Sequence, residues 1–580
     1  MNRLYRYIAI VFAALACYSA AGQNLDPTVV VDRAYEGKLM EVHKPALEMA
    51  VPDTVTRFDL DFDYSVFENP YRETYEFNPY LLTMKPSAAT EAPGRLYLNV
   101  GAGYQLHPEL DLVWSPKFQK ADEGFGMDVY ARHRSFFGKY WGLGVSDDLL
   151  VGRSDDTFKG GDMESKAGVN LKYDWVQGGI DLDLAYYGIH QGYKAEEIHD
   201  VRAYDAFDAS FSVGSKAHAP GLIYGLSGYF RYADESITRR GNMPDRSTGE
   251  INFKTDGLIG VLARGADEAL VRFGVDVAGY KRDVEGAASV LYIAPHYVLN
   301  RGSLKADIGV KVMGSIVDTV AGTFLKNVKD QIVYPDVSVS YSIMPERLVA
   351  YFKADGGSHL NSYSSLLKRN RHAVIGIGNN LVGYDMGISV ERVSLSAGFE
   401  GRFGKRLTWN LAGGYANYAS GILDSVLSLV FPGYNPSFLL DGVEYGKYQK
   451  GFATFSAYWN NERFAADGTV TYTGAWGDVF EKSISALKPA AVTGDVSFEY
   501  NYSKRIYAGV NCSFATARTG GLGSLTLPGY ADLGVSAEYV TSRNLSFWVK
   551  GGNLLGMTVM RDILYAQKGP YFTLGICLNL

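Results

Sequence analysis

At 580 residues, with a formal net charge of −7, the chain combines 65 Gly and 42 Tyr with only 19 Pro. That mixture favours strands over helices, and the lack of any basic tract excludes nucleic acid as a partner. The length exceeds one ordinary soluble domain, a limit that a closed barrel escapes because it grows by adding hairpins.

Residues 1–22 have the layout of a signal peptide for export through the Sec route. Arg3 and Arg6 precede an apolar run from Ile8 to Cys17, and Ala20-Ala21-Gly22 offers a small-residue cleavage site before Gln23. Cys17 lies inside the run, and Ala14-Leu15-Ala16 before it is a poor lipoprotein acceptor context. No later apolar run reaches the 18 or so residues a membrane helix needs, so a membrane crossing would have to be made by strands. Cleavage leaves Cys512 and Cys577, too few for a disulfide framework.

Residues 23–94 form an N-terminal segment, periplasmic or in the lumen, with 13 acidic and 6 basic side chains and Pro at 45, 52, 70, 79 and 86. Between Phe58 and Val66, Phe58, Leu60, Phe62, Tyr64 and Val66 share one side of an extended strand, and Asp59, Asp61 and Asp63 line the other. A free tail would leave five apolar groups in water, each worth roughly 1.5 to 3 kcal/mol on burial. Residues 56–80 are therefore expected in or against a barrel lumen, the rival placement being a first barrel strand.

From Arg95 to Leu580 the chain is a succession of segments of about ten residues in which apolar and polar side chains alternate. In Ser303–Val312, Leu304, Ala306, Ile308, Val310 and Val312 oppose Lys305, Asp307, Gly309 and Lys311. Lys166–Val176, Val333–Ile343, Glu391–Phe403 and Gly529–Val540 repeat the pattern. Short polar turns at Gln177-Gly178, Pro345-Glu346, Ser503-Lys504 and Ser542-Arg543 alternate with longer connections such as Ser358–Gly387, Ile422–Glu444 and Leu554–Gly569. Short periplasmic turns and long external loops are the plan of outer-membrane barrels. Tyr140-Trp141, Tyr173 with Trp175, and Tyr458-Trp459 fit interfacial girdles.

Eleven hairpins plus the last strand make an odd total, whereas single-chain bacterial barrels are usually even. The expectation is an all-β, transmembrane antiparallel β-barrel of about 22 strands, within 18 to 26, preceded by a short extended segment. Its inward faces carry Arg132, Arg134, Lys166, Lys172, Asp181, Asp183, Asp276, Asp336, Arg392 and Glu400, a salt-bridged or solvated lumen. His133, His190, His199 and His359 have no partner at catalytic spacing, so no enzyme is expected. No metal-ligand spacing occurs and no cofactor is implied. Alternation puts Cys512 and Cys577 on opposite faces, which opposes a disulfide between them.

The last strand places Phe572, Leu574, Ile576, Leu578 and Leu580 on one face. Thr573, Gly575, Leu578 and Leu580 resemble the terminal β-signal read by the barrel-assembly machinery, although the final residue is Leu rather than the commoner Phe. With Asn544-Leu545, Trp548 and the Lys550–Gly556 run ahead of it, this end resembles the final hairpin of TonB-dependent receptors. Thr28-Val29-Val30-Val31 followed by Asp32 resembles a TonB box, an extended segment that adds to a sheet edge of TonB. About 72 residues between Gln23 and Arg95 are too few for that family's plug domain, so the plug is expected to be missing or strongly shortened. The resemblance implies an outer-membrane transport or receptor barrel of unspecified substrate. Its partners would be outer-membrane lipid, the assembly machinery, and TonB or a surface lipoprotein. The alternative is an accessory barrel that scaffolds other proteins without transport.

Overall fold

The computed structural model describes residues 95–104, 107–116, 124–146, 150–194, 199–216, 222–240, 245–263, 266–319, 331–373, 385–429, 438–521, 525–561 and 569–580. The expected signal peptide at residues 1–22, Thr28–Val31 and residues 56–80 lie outside the described residues. The strands are β1 (Leu96–Gly103), β2 (Glu109–Trp114), β3 (Phe125–Val145), β4 (Val151–Trp175), β5 (Gly178–Lys194), β6 (His199–Ser215) and β7 (Leu222–Arg240). There follow β8 (Arg246–Leu262), β9 (Glu268–Arg282), β10 (Gly286–Arg301), β11 (Leu304–Thr319), β12 (Val333–Met344), β13 (Leu348–Asn361), β14 (Gly387–Phe403) and β15 (Leu407–Leu429). The last are β16 (Phe438–Asn460), β17 (Phe464–Trp476), β18 (Val492–Tyr502), β19 (Ile506–Ala515), β20 (Tyr530–Ser542), β21 (Leu545–Gly552) and β22 (Tyr571–Asn579). Two short helices interrupt them, α1 (Tyr363–Arg369) and α2 (Asp478–Lys482).

All 22 strands belong to one sheet in which each pairs antiparallel with its sequence neighbours. The ring closes where β1 pairs with β22, Leu98 opposite Leu578 and Gly101 opposite Gly575. Closure removes every edge, the condition under which strands can satisfy their backbone in lipid. In this ring β1 is paired on both sides, by β2 and β22.

Most connections from even to odd strands are short turns, such as those joining β4 to β5, β12 to β13, β18 to β19 and β20 to β21. Gly302 and Gly404 supply the positive φ that two further turns at this end require. The barrel's two chain ends lie there too, Leu96 and Leu580 exchanging backbone hydrogen bonds of 2.8 Å. By the layout rule this is the periplasmic end. The other end, the outer mouth, carries α1, α2 and the longer connections.

The outward face is an apolar band. On β11 and β12, Ile308, Val310, Val312, Tyr341 and Ile343 are exposed outward, whereas Lys311 and Asp336 face each other in the lumen at 3.6 Å. Val339 sits on the outward face between Ala306 and Phe352, and Ser340 on the inward face between Lys305 and Tyr351. A cation on the lipid face costs roughly 2 to 4 kcal/mol at the midplane. Val339→Arg is therefore expected to reduce the heat-modifiable folded band sharply while Ser340→Arg leaves it near wild type. Equal folding of the two variants would show that the faces are assigned wrongly. Cys512 and Cys577 are both free, as opposite faces require.

The strand total is the expected 22, and two other details of the sequence reading are corrected. The odd hairpin count arises because β3 and β4 run 21 and 25 residues and β15 and β16 run 23 each. A tilted strand crosses lipid in about 9–11 residues, so a ten-residue unit divides such a strand in two. Ile422–Glu444, expected as a long connection, is mostly paired strand, Ile422 facing Tyr445 and Leu429 facing Phe438. Tyr140 is not in a lipid girdle: it is buried on the inward side, edge-on to Phe136.

Candidate functional site: the closed outer mouth

Leu366 and Leu367 follow Tyr363 at three and four residues, the spacing that puts all three on one side of a helix. Ser362 starts that helix, its Oγ accepting from Ser365 N at 3.3 Å, and Lys368 and Arg369 complement the dipole at its end. The resulting helix, α1, belongs to the connection between β13 and β14. It does not stand in solvent. Tyr363, Leu366 and Leu367 are buried among inward residues of the barrel wall, including Ile189 on β5, Tyr204 on β6, Ala278 and Tyr280 on β9, and Ile422 on β15. Residues 363–373 have thus folded into the mouth.

Polar wall groups fasten both ends of the helix. At its start Ser364 N donates to Glu250 at 3.1 Å, and Tyr280 hydroxyl accepts from Tyr363 N at 3.1 Å while donating to Glu250 at 3.3 Å. Arg202 donates to Glu235 at 2.6 Å and to the Tyr363 hydroxyl at 2.7 Å, and that hydroxyl donates to Glu235 at 2.5 Å. Burial pushes the Tyr363 phenol well above its ordinary pKa, with Glu235 adding to the effect and Arg202 opposing it. Beyond the helix, Arg371 pairs with Asp162 on β4 and Asn370 donates to Asp441 on β16 at 3.1 Å. His372 is held well below its usual pKa, first by burial and then by Arg371 and Arg202. Anchors on β4, β6, β7, β8, β9 and β16 make the segment a strap across the mouth.

A second lobe packs beside the strap. On α2, Val479 and Phe480 pack on Tyr418 and Tyr448, whose rings stack with centroids 4.6 Å apart. Glu444 accepts from Ser483 Oγ at 2.6 Å and from Ser485 Oγ at 3.0 Å. Isolated bridges then tie β15 and the connections together: Ser425 with Ala486, Leu487 with Gly520, Arg518 with Leu527, and Thr526 with Leu150. Under them Val151, Val426, Leu487, Leu525, Leu527 and Met560 form a buried apolar cluster. The lobes meet on one carboxylate. Asp424 of β15 accepts from Arg369 Nε of the strap and from Arg518 Nη2 of the second lobe, each at 2.6 Å.

Below the mouth the lumen wall is salt-bridged. Arg134 meets Asp111 at 2.6 Å, Lys172 meets Asp181 at 3.6 Å, and Tyr130 donates to Asp183 at 2.9 Å. Asp336 lies 3.3 Å from His296, whose other ring nitrogen is 2.7 Å from Asp307. Of the histidines weighed in the sequence, His133 lies between Ser165 and Ser135 at 2.8 and 3.0 Å, and His190 faces Asp205 at 3.0 Å. They sit apart on the wall rather than in one pocket with His359, which is 4.0 Å from Glu391. Among the described residues no group of three His, Cys, Asp or Glu has metal-binding geometry.

The closing strand places the four residues of the expected assembly signal on two faces. Thr573 is fully buried beside His107, and Gly575 lies inward against Trp548. Leu578 pairs with Leu98 and Leu545, and Leu580 bonds Leu96. Sequence reasoning missed the strap and Asp424. The signal was there in Ser362-Tyr363 and Leu366-Leu367, a capped helical spacing inside a supposed polar loop.

The fold is shared with solved siderophore, iron and copper receptors and transporters. The siderophore receptor PirA from Acinetobacter baumannii superposes with a TM-score of 0.56 at 9% identity, covering 85% of this chain and 81% of its own. The FrpB iron transporter from Neisseria meningitidis gives 0.60 at 10% identity, covering 84% and 82%. The copper transporter OprC gives 0.58 at 10% identity, covering 85% and 84%. No protein-family model matches the chain, and no curated protein matches it in sequence. The likeness is one of fold, and it bears out the resemblance to TonB-dependent receptor barrels read from the last hairpin and closing strand.

Proposed function

We propose that this protein is an outer-membrane transport or receptor barrel of the TonB-dependent receptor type, with the mouth closed in the state described. The observation that carries the reading is the strap. A wall with both charge signs surrounds the lumen, and the outer entrance is shut by contacts between side chains rather than by the strand ring itself, so it can be opened without unfolding the barrel. The fold shared with receptors and transporters supports the same reading. Leu96, at the start of the barrel, lies at the end that the layout rule makes periplasmic, the side where TonB is met. The neighbours' siderophore, iron and copper cargoes make a metal chelate the first class to try.

Deleting Asn24–Arg33 is expected to abolish growth that depends on the cargo while leaving the folded barrel at wild-type level, because it removes Thr28–Val31 and no barrel residue. Growth unchanged by the deletion, together with stable co-purifying proteins, would replace transport by the scaffolding reading. A surface lipoprotein among those that co-purify, with growth lost on deletion, would identify a capture partner of the transporter.

A further inference from the structure

We infer that Trp548 is an internal clasp that fixes the register in which the first strand closes on the last. The indole, on β21, is 4% exposed and turned into the lumen, opposite Gly575 of β22, which in turn faces Gly101 of β1. It lies directly on these two glycines. A Cβ at Gly101 would meet the ring carbons Cη2 and Cζ2 at 2.4 and 2.6 Å, and one at Gly575 would meet Cζ2 at 2.1 Å. The seat exists only because both positions lack a side chain.

The polar edge of the ring is fastened as well. Nε1 donates to Asn99 Oδ1 on β1 at 2.5 Å, and Asn99 Nδ2 donates to Asp111 on β2 at 3.4 Å. Lys550, next inward along β21, stands 4.2 Å over the Trp548 ring and 3.5 Å from Glu109 on β2. Arg134 on β3 completes the set through Asp111 at 2.6 Å. The cluster therefore draws on β21, β22, β1, β2 and β3, and forms only when the two ends of the chain have met.

The outward side cannot supply this specificity. There Leu574 and Ile576 of β22 meet Val100, Phe547 and Val549 beside lipid, where one apolar contact replaces another at little cost. A slip of one residue would turn the lumen face to lipid. A slip of two would bring either Asn99 or Gly103 opposite Gly575. In the first case the Asn99 side chain takes the space of the indole. In the second the Nε1 bond to Asn99 is lost. Both leave the terminal Leu96 and Leu580 bonds unmade.

The test is a double-mutant cycle on the full mature chain, refolded in detergent without assembly factors and scored by the heat-modifiable band across a urea series. Gly101 is the site of choice because it lies outside the C-terminal signal, and because the nearest backbone atom to its added Cβ, Leu574 O, is at 3.0 Å, farther than the ring. Gly101→Ala is expected to lower the folded-to-unfolded ratio at the wild-type midpoint about tenfold, the usual scale of overpacking. In a Trp548→Ala background the same change is expected to cost less than about twofold. Should Trp548→Ala not refold, Trp548→Phe, whose smaller ring clears the glycine, serves as the second background. An equal penalty in both backgrounds, or none in either, overturns the clasp.

Discussion

Asp424→Ala is expected to open the outer mouth, read in planar bilayers as long-lived conducting events in a protein whose wild type stays mostly shut. The carboxylate serves both lobes, Arg369 of the strap and Arg518 of the second lobe each donating to it at 2.6 Å. Removing it leaves two guanidiniums facing one another inside the mouth. Breaking a buried pair by deleting one partner costs roughly 3 to 5 kcal/mol. The lower end applies here, because the Arg369 and Arg518 side chains keep 21% and 22% exposure and so reach water. About 3 kcal/mol is on the order of a hundredfold in the ratio of open to closed. Arg369→Ala frees the strap alone and Arg518→Ala the second lobe alone, so each should open the mouth less than Asp424→Ala. The heat-modifiable band should be unchanged in all three, since no strand pairing depends on them. Conductance of Asp424→Ala equal to wild type would mean that the lobes are held by their apolar clusters, with the ion pairs incidental.

What was legible in the sequence followed from the membrane. Where one side of a strand meets lipid and the other the lumen, polarity must alternate, and Ile308, Val310 and Val312 against Asp307 and Lys311 show it without a structure. The closing strand was legible for the same reason. Above the lipid the rule reverses. In the mouth Ile422, Val426, Val443 and Tyr445 are apolar and point inward, to cover α1 and the second lobe, so the face pattern of β15 and β16 breaks and reads as a loop. Asp424 could not be singled out either. Its two arginines come from connections 55 and 94 residues away, and only the folded mouth joins them.

Removal of Leu578–Leu580 is expected to leave protease-sensitive periplasmic protein, with the heat-modifiable folded form reduced at least about tenfold in the cell. These three residues carry the end of the closing ladder. Leu578 is paired with both Leu98 and Leu545, Asn579 N donates to Asn544 O at 3.0 Å, and Leu580 exchanges two bonds of 2.8 Å with Leu96. Without them the starts of β1 and β21 face each other across a gap, with backbone groups unpaired near lipid, each costing several kcal/mol where no water replaces the lost partner. The same residues form half of the proposed assembly signal, so loss in the cell has two sources, and unaided refolding in detergent separates them. Failure in both settings assigns the loss to the broken ladder. Folding in detergent with failure in the cell assigns it to recognition by the assembly machinery. In that second case Leu580→Phe, which keeps the backbone pairing and supplies the commoner terminal residue, should assemble at least as well as wild type. Wild-type amounts of protease-resistant barrel from the shortened chain in the cell would show that the last three residues serve neither purpose.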